Sequence, residues 1–227
     1  MKNKGFTLIE LSIVLIIISL IVGGVVGGKS LIRSAEIGAV VSEANSFYAA
    51  LNTFEDQYDA LPGDMVNASD YWPTLTDGDG NREIRDNERF YSWQQLGLSE
   101  ILQATFTGDP GGPVKAVLGS NVPASDMNGG GYSLRYIFAA TFGKIGNTIE
   151  FGSWTDLDPP ITSGAILSAK EGKLIDKKMD DGLADSGKVF GIDADNATGC
   201  SDAYSAASGT YQLSNAEITC RLHFWLK

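Results

Sequence analysis

The chain has 227 residues, 43% of them hydrophobic, with 17 Lys and Arg against 28 Asp and Glu and a formal net charge of −11 at pH 7. That length suits one substantial domain with a single core. The acidic balance argues against nucleic-acid binding, which needs lysines and arginines to displace counterions, and no basic run compensates, Lys177 and Lys178 coming nearest.

The first element is an apolar run from Phe6 to Val26, led by Lys2, Lys4 and Gly5 and carrying one carboxylate, Glu10. As a helix at about 1.5 Å per residue it covers roughly 31 Å, the hydrocarbon thickness of a bilayer. Lysines ahead of it hold the N-terminus on the cytoplasmic side. A secretory signal has a shorter apolar region followed by a small-residue cleavage site. Here the best small residue, Gly5, precedes the run, so cleavage there would leave the helix attached. It would also place the new amine of Phe6 one turn from Glu10. A carboxylate at mid-bilayer costs about 2–3 kcal/mol, and that amine, in the same chain or a neighbour, would neutralise it.

The string Lys4-Gly5-Phe6-Thr7-Leu8-Ile9-Glu10, followed by an apolar helix, resembles the leader and N-terminus of type IV pilins and type II secretion pseudopilins. The resemblance implies removal of residues 1–5 as a leader by a prepilin peptidase, N-methylation of Phe6, and a role for Glu10 in subunit register. It implies as partners further copies in a helical homopolymer, other pilins, the inner-membrane assembly platform, and the membrane before assembly. The location implied is the inner membrane of a bacterium, as a single-pass precursor, and then a periplasmic or extracellular filament. Loss of Lys2 and Lys4 takes the net charge from −11 to −13. A plain signal anchor with an incidental Glu10 is the competing reading.

Beyond Val26 the pattern turns amphipathic, with Ile37, Val40, Ala44, Phe47, Leu51, Phe54 and Tyr58 spaced by threes and fours. Glu36, Glu43, Asn45, Asn52, Glu55 and Asp56 fall between them on an expected solvated face. One helix from Phe6 to about Tyr58 follows, roughly 80 Å long, with 6–28 as membrane or filament-core half and 29–60 as amphipathic half. Gly23, Gly24, Gly27 and Gly28 permit close approach of membrane helices or mark a weak point. Filaments of the family that the chain resembles unwind part of this helix near a proline that the helix lacks here, and the glycines are read as its substitute. Leu61-Pro62-Gly63-Asp64 stops the helix and opens a domain over 61–227.

Asp77, Asp79 and Asn81 place oxygens at alternate positions, with Glu88 at the twelfth place and Ile84 at the eighth, which suits a calcium loop. Arg82 stands where such a loop needs glycine. The alternative is a polar turn held by Asx hydrogen bonds. A short helix is expected over Asn87–Leu96 with Gly97 as its cap, then a surface loop from Thr107 to Gly131.

Alternation over Tyr132–Phe138, a Gly-Asn turn and Thr148–Phe151 predict a β-hairpin. Thr162 or Ser163 caps an expected helix to about Lys178 with Leu167, Leu174 and Ile175 inward. In the last strand Ile218, Cys220, Leu222, Phe224 and Leu226 form one buried face, alternating with Thr219, Arg221, His223 and Trp225. Cys200 and Cys220, in a part that reaches an oxidising compartment, are expected to form a disulfide worth roughly 3 kcal/mol. The stretches YDALPGD, DGDGN and IDKKMDDGLADSGKVFGID are also similar to those of bacterial pilin-like proteins with a large C-terminal domain.

Catalytic signals are weak. The single histidine, His223, lies on an alternating strand, and the chain has no nucleophile elbow or zinc-spaced Cys/His cluster. Asp180, Asp181 and Asp185 could gather a cation or act as paired carboxylates in acid/base work, and the reading preferred is helix-end caps facing water.

The fold expected is α+β, a long N-terminal helix packed on an antiparallel sheet with a loop-rich insertion between them. Function then reads as a structural subunit of a type IV pilus and not an enzyme, with no certain cofactor beyond the calcium candidate. A type II secretion pseudopilin is the alternative, and a membrane-tethered periplasmic binding or hydrolytic domain is the alternative of another class. Removing five of 227 residues leaves 222, long for a shaft subunit and in favour of a specialised role. Glu10 argues against the tip pseudopilin, which usually lacks that carboxylate.

Overall fold

The structure is a computed structural model that describes residues 7–109, 116–137, 144–155, 161–202 and 209–226. Helix α1 runs unbroken over Leu8–Tyr58, as the continuity of the apolar pattern predicts. It ends at Asp59, which takes a left-handed φ of 52°, just before the Leu61-Pro62-Gly63-Asp64 turn. That turn docks on α3 (Glu88–Leu98): the Gly63 N–H donates to Gln95 Oε1 at 2.7 Å, and Ser92 Oγ donates to the Pro62 carbonyl at 2.7 Å. Gly63 has a φ of 88°, and a Cβ there would lie 2.3 Å from the Glu88 carbonyl, so the turn requires glycine. A single-turn helix, α2 (Ala68–Tyr71), precedes α3. Gly97 does not cap α3. The helix continues to Leu98 because Gly97 lies against the Ala104 carbonyl, and Ser99 takes the cap position.

The hairpin expected from alternation is β1 (Gly130–Ile137) and β2 (Gly146–Ser153), antiparallel in register from Gly130 opposite Ser153 to Ile137 opposite Gly146. Phe138 lies outside the described residues. A two-residue strand, β3 (Leu167–Ser168), leads directly into α4 (Ala169–Met179), followed by β4 (Val189–Asp193) and β5 (Ile218–Trp225). All pairings are antiparallel and β5 is the hub. Leu222 faces both Phe151 and Gly191, and Cys220 faces both Leu167 and Asp193. So β4 lies along one side of β5, while β2 and β3 follow each other along the other. The chain is an α+β protein of one long helix and a five-stranded sheet.

The C-terminal half of α1 buries Ile37, Val40, Ala44, Leu51 and Phe54 against α3 and one sheet face. Phe47 meets Trp93 and Tyr132 edge-on at 5.1 and 4.8 Å. Glu43 is not solvated as its place between the apolar positions suggests. It accepts from the Tyr132 hydroxyl at 2.7 Å, Ser125 Oγ at 2.6 Å and the Asp126 N–H at 2.8 Å, tying α1 to the segment entering β1.

Two expectations about packing fail for identifiable reasons. Thr162 and Ser163 do not cap α4: they are buried, with Thr162 bonded to Ser133 and the Glu150 carbonyl and Ser163 to Thr155. The cap is Ser168, in a reciprocal capping box with Glu171, and this start rotates Leu174 to the outside while Gly172, Ile175 and Asp176 face inward. In β5 both faces are buried, because a central strand is covered on each side, and only Ile218 at its start is exposed.

Candidate functional site

From Thr7 to Gly27 every residue of the apolar half is exposed, so nothing in the described chain covers it. Gly5 and Phe6, the expected cleavage and methylation positions, lie outside the described residues. Their neighbours form the helix start: the Thr7 N–H and hydroxyl donate to Glu10 Oε2 at 2.8 and 2.7 Å, and the Glu10 N–H donates to Thr7 Oγ1 at 3.3 Å. This capping box fixes the one carboxylate of the run at the positive end of the helix dipole. A methyl group added at Gly23, Gly24, Gly27 or Gly28 would meet nothing within 4 Å. The fold of the single chain therefore does not require these glycines.

Anchorage begins at Arg33. Its Nε and Nη2 donate to the two Glu171 oxygens at 2.6 and 3.0 Å, Nη2 also donates to the Ile166 carbonyl at 2.9 Å, and Nη1 donates to Glu36 at 3.1 Å. Glu171 also closes the α4 capping box, so one carboxylate joins the two helices. Burial pushes the Glu171 carboxyl up, but Arg33 and Ser168 together hold it below the usual carboxylate range. Sequence periodicity gave no sign of this clamp, since Arg33 and Glu171 are 138 residues apart.

Among the described residues two acidic clusters have the chemistry to hold a hard cation. Carboxylate oxygens of Asp64, Asp79 and Glu88 lie within 4.8 Å of one another. Of the expected ligands, Asp79 and Glu88 are brought together. Asp77 instead accepts from the Ser69 N–H at 2.8 Å, and Asn81 spends its amide on Asp79 at 2.8 Å and its oxygen on the Glu83 N–H at 2.7 Å. Asp64 was not foreseen. It sits in the helix-stop turn and takes backbone N–H groups of Gly80, Asn81 and Arg82 at 2.7, 3.1 and 2.7 Å. Arg82, standing at the glycine position of a calcium loop, adopts the left-handed conformation at φ 64°.

The second cluster is Asp176, Asp180 and Asp181. Asp176 is buried and accepts from the Tyr211 hydroxyl at 2.9 Å and the Gly182 N–H at 3.0 Å. Burial, against those two hydrogen bonds, pushes it up to about 7. Asp180 caps α4 and Asp181 is exposed, as expected, and both also organise the 180–189 turn. Asp181 takes the Leu183 N–H at 2.8 Å, and Asp180 takes the backbone of Lys188 and Val189.

His223 bridges Thr148 Oγ1 and Glu150 Oε1, each at 3.3 Å, so a hydroxyl, an imidazole and a carboxylate stand in line. All three are at most 1% exposed. Arg221 grips Glu150 at 2.7 Å, and although burial pushes that carboxyl up, the charges of Arg221, His223 and Arg135 hold it down to about 2. A carboxylate so held is a weak base near neutral pH. Cys200 and Cys220 are disulfide-bonded, joining β5 to the segment after β4.

Residues 1–26 match the family described as the prokaryotic N-terminal methylation motif, which is the prepilin-cleavage signature of type IV pilins and pseudopilins. No curated protein and no solved structure matches the chain.

Proposed function

From a chain that carries the N-terminal methylation motif, we propose a structural subunit of a type IV pilus, cleaved after Gly5, methylated on Phe6 and assembled through the apolar half of α1. The observation that carries this reading is the joint presence of that motif and an apolar helix half left wholly uncovered, with one carboxylate at its start. In the bilayer lipid covers residues 6–28. In the filament neighbouring copies of the same helix replace lipid, and Glu10 exchanges its Thr7 partners for the Phe6 amine of another subunit. Residues 29–60 carry the helix onto the domain, and 61–227 form the acidic outer surface. The motif serves pseudopilins equally, and a secretion pseudopilus uses the same helix in the same way.

Glu10→Gln tests the proposal, since the amide can still accept from Thr7 but brings no charge to an amine. Filament assembly should be lost while the domain melts at the parent temperature. Unchanged assembly would favour a tethered domain.

A further inference from the structure

A hollow of about 320 Å³ opens where the C-terminal part of α1 passes the end of the sheet, within the size range of small-ligand sites. Leu51 and Leu61 line it from the α1 side, and Met179 and Val189 from the ends of α4 and β4. Its frame is fixed by hydrogen bonds: the Tyr48 hydroxyl donates to the Trp225 carbonyl at 3.0 Å, the Trp225 N–H to the Lys188 carbonyl at 2.8 Å, and the Leu226 N–H to the Asn147 carbonyl at 2.9 Å. The hollow is thus pre-formed. Around its mouth stand Asn45, Asn52 and Lys188, whose side-chain amides and ammonium make no hydrogen bond or ion pair among the described residues. The one acid in the lining, Glu55, is engaged by Arg82.

We propose that this hollow binds a small amphipathic carboxylate, an aromatic or short aliphatic acid. Its apolar body lies on Leu51, Leu61, Met179 and Val189, and its anion meets Lys188 and the amides of Asn45 and Asn52. The charge pattern selects this class, because Lys188, the one cation in the lining, adjoins an apolar wall and the one acid in the lining, Glu55, is engaged by Arg82. A sugar fits poorly. The Trp225 ring is only 7% exposed and packs edge-on against Phe190 at 5.5 Å, so it offers no open stacking face. A bound acid would contact α1, α4 and β4 together and fasten the helix to the sheet.

The test uses the full chain in lipid nanodiscs and 4-fluorophenylacetate as probe, followed by fluorine line broadening with empty nanodiscs as blank. Broadening beyond the blank is expected. Lys188→Gln should weaken binding roughly tenfold, the loss of one charge-assisted contact. Asn52→Trp, at an exposed position of α1, should abolish it by filling the mouth. Broadening equal to the blank, or binding indifferent to both substitutions, would overturn the proposal. Equal affinity for 4-fluorobenzyl alcohol would reject the anion class. Displacement of the probe as protein concentration rises would assign the hollow to a second copy of the chain and likewise overturn it.

Discussion

The two halves of α1 share one backbone helix and follow opposite rules. Residues 7–27 are all exposed and apolar on every side, whereas from Ile37 onward only one stripe is apolar and that stripe is buried. Apolar content marks what must leave water, and periodicity marks how far the chain itself provides the cover. Where the pattern has no polar face, the cover has to come from outside, as lipid or as other helices.

Large-to-small substitutions in the two halves sharpen this contrast. Phe54→Ala, at a position with 0% exposure, should lower domain stability by about 3–5 kcal/mol in a denaturant titration. Ile17→Ala should leave the same transition within about 0.5 kcal/mol. A comparable loss from Ile17→Ala would show that the apolar half is packed after all.

The boundary between the halves is the next point of attack. Arg33→Ala removes a two-pronged bond to Glu171 that is partly exposed, and should cost about 1–2 kcal/mol. Hydrogen exchange should rise in the α1 amides around Arg33 and at the start of α4, and stay unchanged near Phe54. Protection that is equally lost along the whole helix would deny that the clamp sets the boundary.

The smallest effect separates the domain from the apolar half by pH. A carboxyl whose folded value is raised holds its proton more tightly when native, so Asp176 adds stability at acid pH that disappears as pH rises toward about 7. The domain should therefore melt lower at pH 8 than at pH 5.5. Asp176→Asn, which can still accept from Tyr211, should narrow that difference. An unchanged difference would show that Asp176 does not titrate in this range.

Strong local periodicity made α1 legible in the sequence almost to the residue, from an expected Phe6–Tyr58 to Leu8–Tyr58. The hairpin and the disulfide were legible for similar reasons, alternation in one case and compartment in the other. Strand β4 was not, because five residues interrupted by Gly191 give too short a pattern. The glycine is there because a Cβ would lie 2.1 Å from the Tyr211 ring, a contact with a residue too far along the chain for any local window to reveal. The start of α4 was misplaced although Ser168 and Glu171 spell a capping box, since Thr162 and Ser163 offered an equally good local signal and are claimed instead by cross-sheet hydrogen bonds. At the N-terminus the motif was legible as a group because its chemistry is local: the proposed cleavage point, the amine it would free and a carboxylate fall within one turn. Asp64 joined Asp79 and Glu88 only through folding, which no spacing rule conveys.

The central claim is that α1 loses its leader and is then covered by copies of itself. Intact mass of the protein from sheared surface material, set beside that from membranes, tests it most directly. The account predicts abundant sheared protein lacking residues 1–5, with one added methyl and two hydrogens lost to the disulfide. An uncleaved chain in both fractions would contradict it.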